Sequence, residues 1–193
     1  MLHLSTPLFV PECYADTALL RTLLRENSAS RAGLDAGFVN HQHGIGNVGN
    51  LMHAQGKSST VRRVLGMVDL DRKFGQQPYL CEFSRVLGGS DIREAASYAH
   101  LQHPSRPAQM LLVLNPVFET WLALRAAEIG ATLAAYGIPA EANAFKSYSR
   151  AEDKNPSSGL RRLLAAIATA YHPAYRDLAE VVAQVMDLTR PLP

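Results

Sequence analysis

A chain of 193 residues with a formal net charge of +2 is too mildly basic to require a polyanionic partner, and it is not acidic enough to repel one. Its composition, 47% hydrophobic and 19% charged, excludes an intrinsically disordered chain and fits one packed domain with room for a helical extension. Two cysteines exclude a disulfide framework; the lack of a long apolar run excludes a membrane span, and the lack of a basic-then-apolar start excludes a secretory signal, so a cytoplasmic protein is expected.

Residues 1–10 are largely apolar and stop at Pro11-Glu12, which predicts a buried strand followed by a turn. Ala15, Ala18, Leu19, Thr22 and Leu23 recur at helical spacing and predict a helix over 15–25, with Asp16 in its first turn. A connection over 28–36 leads to a second predicted strand at 37–41. The glycine-rich stretch 43–50 then enters a short helix around 47–54. Residues 62–68 predict a third strand, ending at Asp69-Leu70-Asp71. A loop follows at 75–78, an additional strand is expected over 79–87, and a helix over 90–101 with Ser90 or Asp91 as its cap. Pro104 and Pro107 interrupt the chain before 109–114, a continuous apolar run suited to a central parallel strand. Asn115 and Pro116 open a long helix expected to reach about Tyr136, with Gly137 ending it. The remainder to Met186 reads as helical, with one polar break at 149–158.

Strands alternating with helices predict an α/β fold with a parallel sheet covered on both faces. In such a sheet the loops at the carboxyl ends of the strands share one crevice. Glu12 follows the first strand, Asp69 and Asp71 the third, and Glu119 lies one turn into the helix after the 109–114 strand. Alternate residues of an extended segment point the same way, so Asp69 and Asp71 project together, and such a pair repels unless a proton or cation relieves it. Magnesium, which takes hard oxygen ligands and often just one or two protein carboxylates, suits that demand. The alternative for Asp69 and Asp71 is a solvated turn, and for Asp16 and Glu119 a charge complementing a helix start. Arg72, Lys73, Lys154, Arg161 and Arg162 supply positive charge for a nucleic acid. His41 and His43 stand at alternate positions that suit either a metal or an ordinary loop pair. The glycines lack the spacing of a Walker loop or a dinucleotide fingerprint, which removes a nucleotide-binding oxidoreductase.

Leu8-Phe9-Val10-Pro11-Glu12, Val68-Asp69-Leu70-Asp71 and the Asn-Pro-x-x-Glu-x-Trp run Asn115–Trp121 together resemble a TOPRIM domain, in particular the small OLD-family and RloB-like nucleases. The resemblance spans roughly residues 4–136. It implies a TOPRIM-like, Rossmann-like domain over 1–136, with 137–193 a C-terminal helical extension packed on it. It also implies a magnesium- or manganese-dependent nuclease acting on DNA or RNA, of a kind associated with phage defence. Its catalytic residues would be Glu12, Asp69, Asp71 and Lys146. Its metal ligands would be Glu12, Asp16, Asp69, Asp71 and Glu119, and Lys146 or Lys154 would neutralise phosphate charge. An ABC-type ATPase partner is implied, and self-association into a homo-oligomer is left open. Cys13 stands where the family carries a glycine after the glutamate. That departure motivates the alternative expectation of a non-catalytic TOPRIM-like subunit in a larger assembly.

Overall fold

The computed structural model describes residues 5–27, 39–58, 62–89, 98–152, 158–170 and 172–186. Strands β1 (Ser5–Pro11), β2 (Arg62–Asp69), β3 (Arg85–Gly89), β4 (Tyr98–His103) and β5 (Arg106–Leu114) form one open sheet in the order β1-β2-β5-β4-β3. β1, β2 and β5 run parallel, whereas β4 and β3 add antiparallel to the far side of β5. The sheet is therefore mixed, which corrects the expectation of an all-parallel one. On the outer side of β1, Val39 forms a parallel bridge with Phe9, and the N–H groups of Asn40 and Gln42 donate to the carbonyls of Phe9 and Pro11. This is the described remnant of the strand expected at 37–41; Gly37 and Phe38, like the connection before them, lie outside the described residues.

The parallel strands are apolar on both sides because both faces are covered. Phe9, Leu65, Met67, Met110, Leu112 and Leu114 enter one core with helices α1 (Tyr14–Asn27), α4 (Phe118–Glu128), α5 (Ala142–Glu152), α6 (Gly159–Thr169) and α7 (Pro173–Met186). Leu8, Val10, Val64, Val68, Leu111 and Val113 enter a second core with α2 (Ile45–Gly56) and the short α3 (Pro78–Cys81). The alternation follows from the period of two along each strand. The C-terminal helices share the first core, α1 packing against α5, α6 and α7. Among the described residues no helix is long and apolar enough to cross a membrane.

Three local readings are corrected. The strand expected at 79–87 is instead α3 followed by β3, because Pro78 starts a helical turn and Leu80 packs against Gly49 of α2. The helix expected over 90–101 fails at its end: Tyr98–His103 is a strand, joined to β5 by the Pro104-Ser105 turn, while 90–97 lie outside the described residues. His100 and Gln102, buried polar residues, disguised that strand's alternation; Gln102 accepts from Arg85 and donates to the carbonyl of Pro107. The long helix after Pro116 starts at Phe118 and stops at Glu128, since Gly130 adopts φ 72° and lets the Ala131 N–H close back on the Ala126 carbonyl. Gly137 also has a positive φ, but it ends only the short 3-10 turn Ala134–Tyr136.

Candidate functional site

β1, β2 and β5 finish at the same edge of the sheet, and three helices begin there. Glu12 directly follows β1, and Asp69 is the last residue of β2. The Asp69 N–H donates to Oε2 of Glu12 at 3.3 Å, so the two strand-end carboxylates are neighbours. Asp69 Oδ1 in turn accepts the Phe118 N–H at 2.9 Å, capping α4, whose own N-cap residue Val117 contributes no side-chain bond. Glu12 does the same for α2, its carboxylate taking the Ile45 N–H.

Asp16 lies in the first turn of α1 and is fully buried. Its Oδ2 accepts the Cys13 N–H at 3.1 Å, while the Asp16 N–H points back to Cys13 Sγ at 3.5 Å. This is the reciprocal pattern of a capping box with a thiol in the place of a hydroxyl. The other oxygen, Asp16 Oδ1, is buried with no hydrogen-bond partner. A half-buried Glu119 in the first turn of α4 completes the group.

The electrostatics follow from crowding these charges away from water. Burial, then the charges of Asp16, Glu12 and Glu119, hold the Asp69 carboxyl well above the usual range, against the bond from Phe118. Burial pushes Asp16 up to about 8; the Cys13 bonds oppose the shift and the Glu12 and Glu119 charges add to it. Burial also raises Glu12, partly offset by the Asp69 N–H, with Asp71 raising it further and Lys73 lowering it. The Cys13 thiol is pushed up by burial and by Asp16, so it is protonated at neutral pH and unsuited to act as a nucleophile.

The expected site is thus partly reassembled and partly corrected. The charges of Glu12 and Glu119 act on Asp16 and Asp69, and that of Asp16 acts on Asp69, so these four lie near one another. Asp71 does not pair with Asp69. The strand stops at Asp69, so the pleat no longer aligns the two, and Asp71 Oδ1 accepts the Lys73 N–H at 2.7 Å within a turn. Asp71 acts on the cluster through its charge on Glu12. Arg72 and Lys73 are exposed in that same turn, and it is Lys73 whose charge offsets that of Glu12. Lys146 is exposed on α5, next to Phe145, whose ring lies 6.1 Å from that of Phe118. Arg161 is half-buried on α6, and Arg162 sits over the Tyr136 ring at 6.0 Å. Lys154 lies outside the described residues.

The glycine-rich stretch has structural duties. Gly44, at φ 130°, starts α2, and Gly46 and Gly49 face Gln77 and Leu80, leaving room for α3. The alternate spacing of His41 and His43 gave no sign of their contacts with Tyr14 and Thr17. All four meet beside Glu12. Thr17 Oγ1 is 2.8 Å from His41 Nδ1, His41 Nε2 is 2.9 Å from His43 Nδ1, and Tyr14 stacks 4.3 Å from the His41 ring. The one available signal was that Tyr14 and Thr17 share a face of α1 at helical spacing.

Three carboxyl groups of raised proton affinity, Glu12, Asp16 and Asp69, one of them with an unpartnered buried oxygen, and the neighbouring Glu119 fit a hard cation held by one or two protein oxygens and otherwise by water. They do not fit a close protein cage, since among the described residues no three His, Cys, Asp or Glu side chains are arranged to hold an ion. No protein-family model matches the chain, and no curated protein or solved structure matches it.

Proposed function

We propose that this protein is a divalent-cation-dependent phosphodiesterase acting on a nucleic acid, in keeping with the TOPRIM-like motifs of its sequence. The observation that carries the reading is the buried carboxylate group at the ends of β1 and β2, with Asp16 Oδ1 lacking any partner. Such an arrangement costs stability unless positive charge or protons compensate it, and strained electrostatics of this kind concentrate at functional sites.

In this reading Asp16, Asp69 and Glu119 hold magnesium or manganese, directly or through water. When bound, the cation neutralises phosphate charge and lowers the pKa of water. Glu12, with its raised proton affinity, takes the proton of the attacking water near neutral pH. Arg72 and Lys73, exposed beside the crevice, hold the phosphate backbone without reading bases. The helix starts of α1, α2 and α4 aim their N–H ends at the same edge, which favours an approaching anion.

The test is cleavage of linear DNA, plasmid and structured RNA by purified protein with magnesium, with manganese and with chelator. Cleavage that needs the cation and disappears in Asp69→Asn supports the reading; cleavage indifferent to both refutes it.

A second reading is favoured by one observation: Glu12, Asp16 and Asp69 each cap a backbone N–H, so each has a structural duty that needs no ion. The chain would then be a non-catalytic subunit, with an ATPase as its partner. Titration calorimetry at pH 8 separates the two, because a purely capping cluster takes up no magnesium there and a cation site does.

A further inference from the structure

The carboxylate reading supplies a base for the attacking water and leaves the departing alcohol oxygen without a proton donor. The group formed by Thr17, His41 and His43 stands beside it. The Gly44 N–H donates to the Glu12 carbonyl at 3.0 Å, so the loop carrying His41 and His43 is tied to Glu12 itself. The Thr17 hydroxyl donates to the Cys13 carbonyl at 2.8 Å, so its single proton is committed. Its oxygen, 2.8 Å from His41 Nδ1, must therefore accept, and His41 Nδ1 carries a proton. In a neutral ring His41 Nε2 is then the acceptor, and His43 Nδ1, 2.9 Å away, donates to it. The chain of bonds thus has a direction, and it ends at His43 Nε2.

A second observation concerns the backbone. His43 adopts φ 54°, the one non-glycine residue with a positive φ among those described, and Gly44 follows at φ 130°. A left-handed conformation costs energy at a residue bearing a Cβ. His43 is exposed, so burial of its ring does not explain the conformation. The bond to His41 and the edge contact with Tyr14, at 5.6 Å, hold the ring instead.

We propose that Thr17, His41 and His43 form a hydrogen-bonded relay whose end residue, His43, gives its own Nε2 proton to the leaving oxygen of a phosphodiester while His41 and Thr17 fix its orientation, a role that rests on the phosphodiesterase reading above. The water oxygen bonds to phosphorus while Glu12 takes its proton. The bond from phosphorus to the departing alcohol breaks, and its electron pair takes the proton carried on His43 Nε2. The His43 Nδ1–H stays on His41 Nε2, which is held in its tautomer by Thr17. Solvent then reprotonates His43 and receives the proton from Glu12. His43 touches the reacting atoms; His41 and Thr17 are positioning residues.

The test compares two substrates in magnesium: a DNA strand, whose alkoxide leaving group needs a proton, and bis(p-nitrophenyl) phosphate, whose leaving group does not. His43→Ala and His43→Gln are expected to lose roughly 100-fold or more in kcat on DNA and less than about 3-fold on the aryl ester. Thr17→Val is expected to lose roughly 10-fold on DNA, with Thr17→Ser restoring it and KM unchanged throughout. Equal losses on both substrates would assign His43 to binding or folding and overturn the relay, as would no loss on DNA. Two His43 variants, checked by circular dichroism, guard against a folding defect in one. Wild-type protein that cleaves neither substrate defeats the phosphodiesterase reading and the relay with it. Wild-type activity that survives His43→Gln on DNA defeats the relay alone.

Discussion

Asp69 serves two purposes that can be separated by substitution. Its charge belongs to the carboxylate group, and its Oδ1 caps α4 through the Phe118 N–H. Asn keeps an acceptor without the charge, while Ala removes both. Asp69→Asn and Asp69→Ala are therefore both expected to lose at least about 100-fold in cleavage rate. In urea unfolding with chelator, Ala should be less stable than Asn by about 1 kcal/mol, the usual value of a lost cap. Equal stabilities would mean that the cap contributes nothing. Asp16 makes the complementary case. Its folded-state value of about 8 lies above its ordinary value of 3.8, so its folded form binds the proton more tightly. Its contribution to stability is complete below about pH 4 and is lost as pH rises through about 8. Asp16→Asn, which retains an acceptor for the Cys13 N–H, should stabilise the cation-free protein at pH 8 by roughly 1–3 kcal/mol and leave it unchanged at pH 4. It should also abolish cation-dependent cleavage. A variant no more stable than wild type at pH 8 would show that the carboxyl is not buried as a strained charge.

At the scale of elements, the helices are fixed by close contacts at their starts as much as by their apolar faces. α6 begins at Gly159, capped by Ser158, whose hydroxyl accepts the Arg161 N–H at 3.2 Å. A Cβ on Gly159 would run into the backbone carbonyl of Tyr136 and the Tyr148 hydroxyl. Backbone cannot move aside as a side-chain end can. Gly159→Ala is expected to cost about 2 kcal/mol or more in thermal unfolding, against about 0.5 kcal/mol or less for Ala165→Gln at an exposed position of the same helix. The sequence made this region legible only in part. Leu160, Leu163, Leu164 and Ile167 recur at helical spacing and enter the core as that spacing requires. Nothing in the local sequence announced that Gly159 would meet Tyr136, because that approach depends on where the chain between α4 and α5 comes to rest.

For the whole molecule, two buried groups set opposite slopes of stability against pH. Burial lowers His100, in β4, to about 4 from its ordinary 6.5. Its contribution is complete above pH 6.5 and is lost as pH falls through about 4, up to roughly 3 kcal/mol if the site stays dry. The carboxylate group acts the other way, so the cation-free protein should be most stable at mildly acid pH. His100→Leu should flatten the acid side of that profile and leave the alkaline side untouched, as read by chemical unfolding between pH 4 and 9. Magnesium should reverse the alkaline side. At about a hundred times its Kd it is expected to stabilise by about 2.7 kcal/mol at pH 8, and by little at pH 5, where the carboxyl groups keep their protons. A melting temperature insensitive to magnesium at pH 8 would remove the cation from the site.

What the sequence determined on its own was local: an apolar run ending in Glu12, another ending in Asp69, and amphipathic helices with readable starts. These suffice to predict that acidic residues meet at one edge, because parallel strands must present their carboxyl ends together. Which acids meet was decided by tertiary structure. β2 stops at Asp69, which turns Asp71 aside, while the starts of α1 and α4 place Asp16 and Glu119, both already candidates in the sequence, close enough to Asp69 for their charges to act on it. The strand β4 and the placing of His41 and His43 against Thr17 were settled in the same way. The physical reason is range: periodicity and capping act over three or four residues, whereas the field on a buried carboxyl depends on groups that only the folded chain brings near.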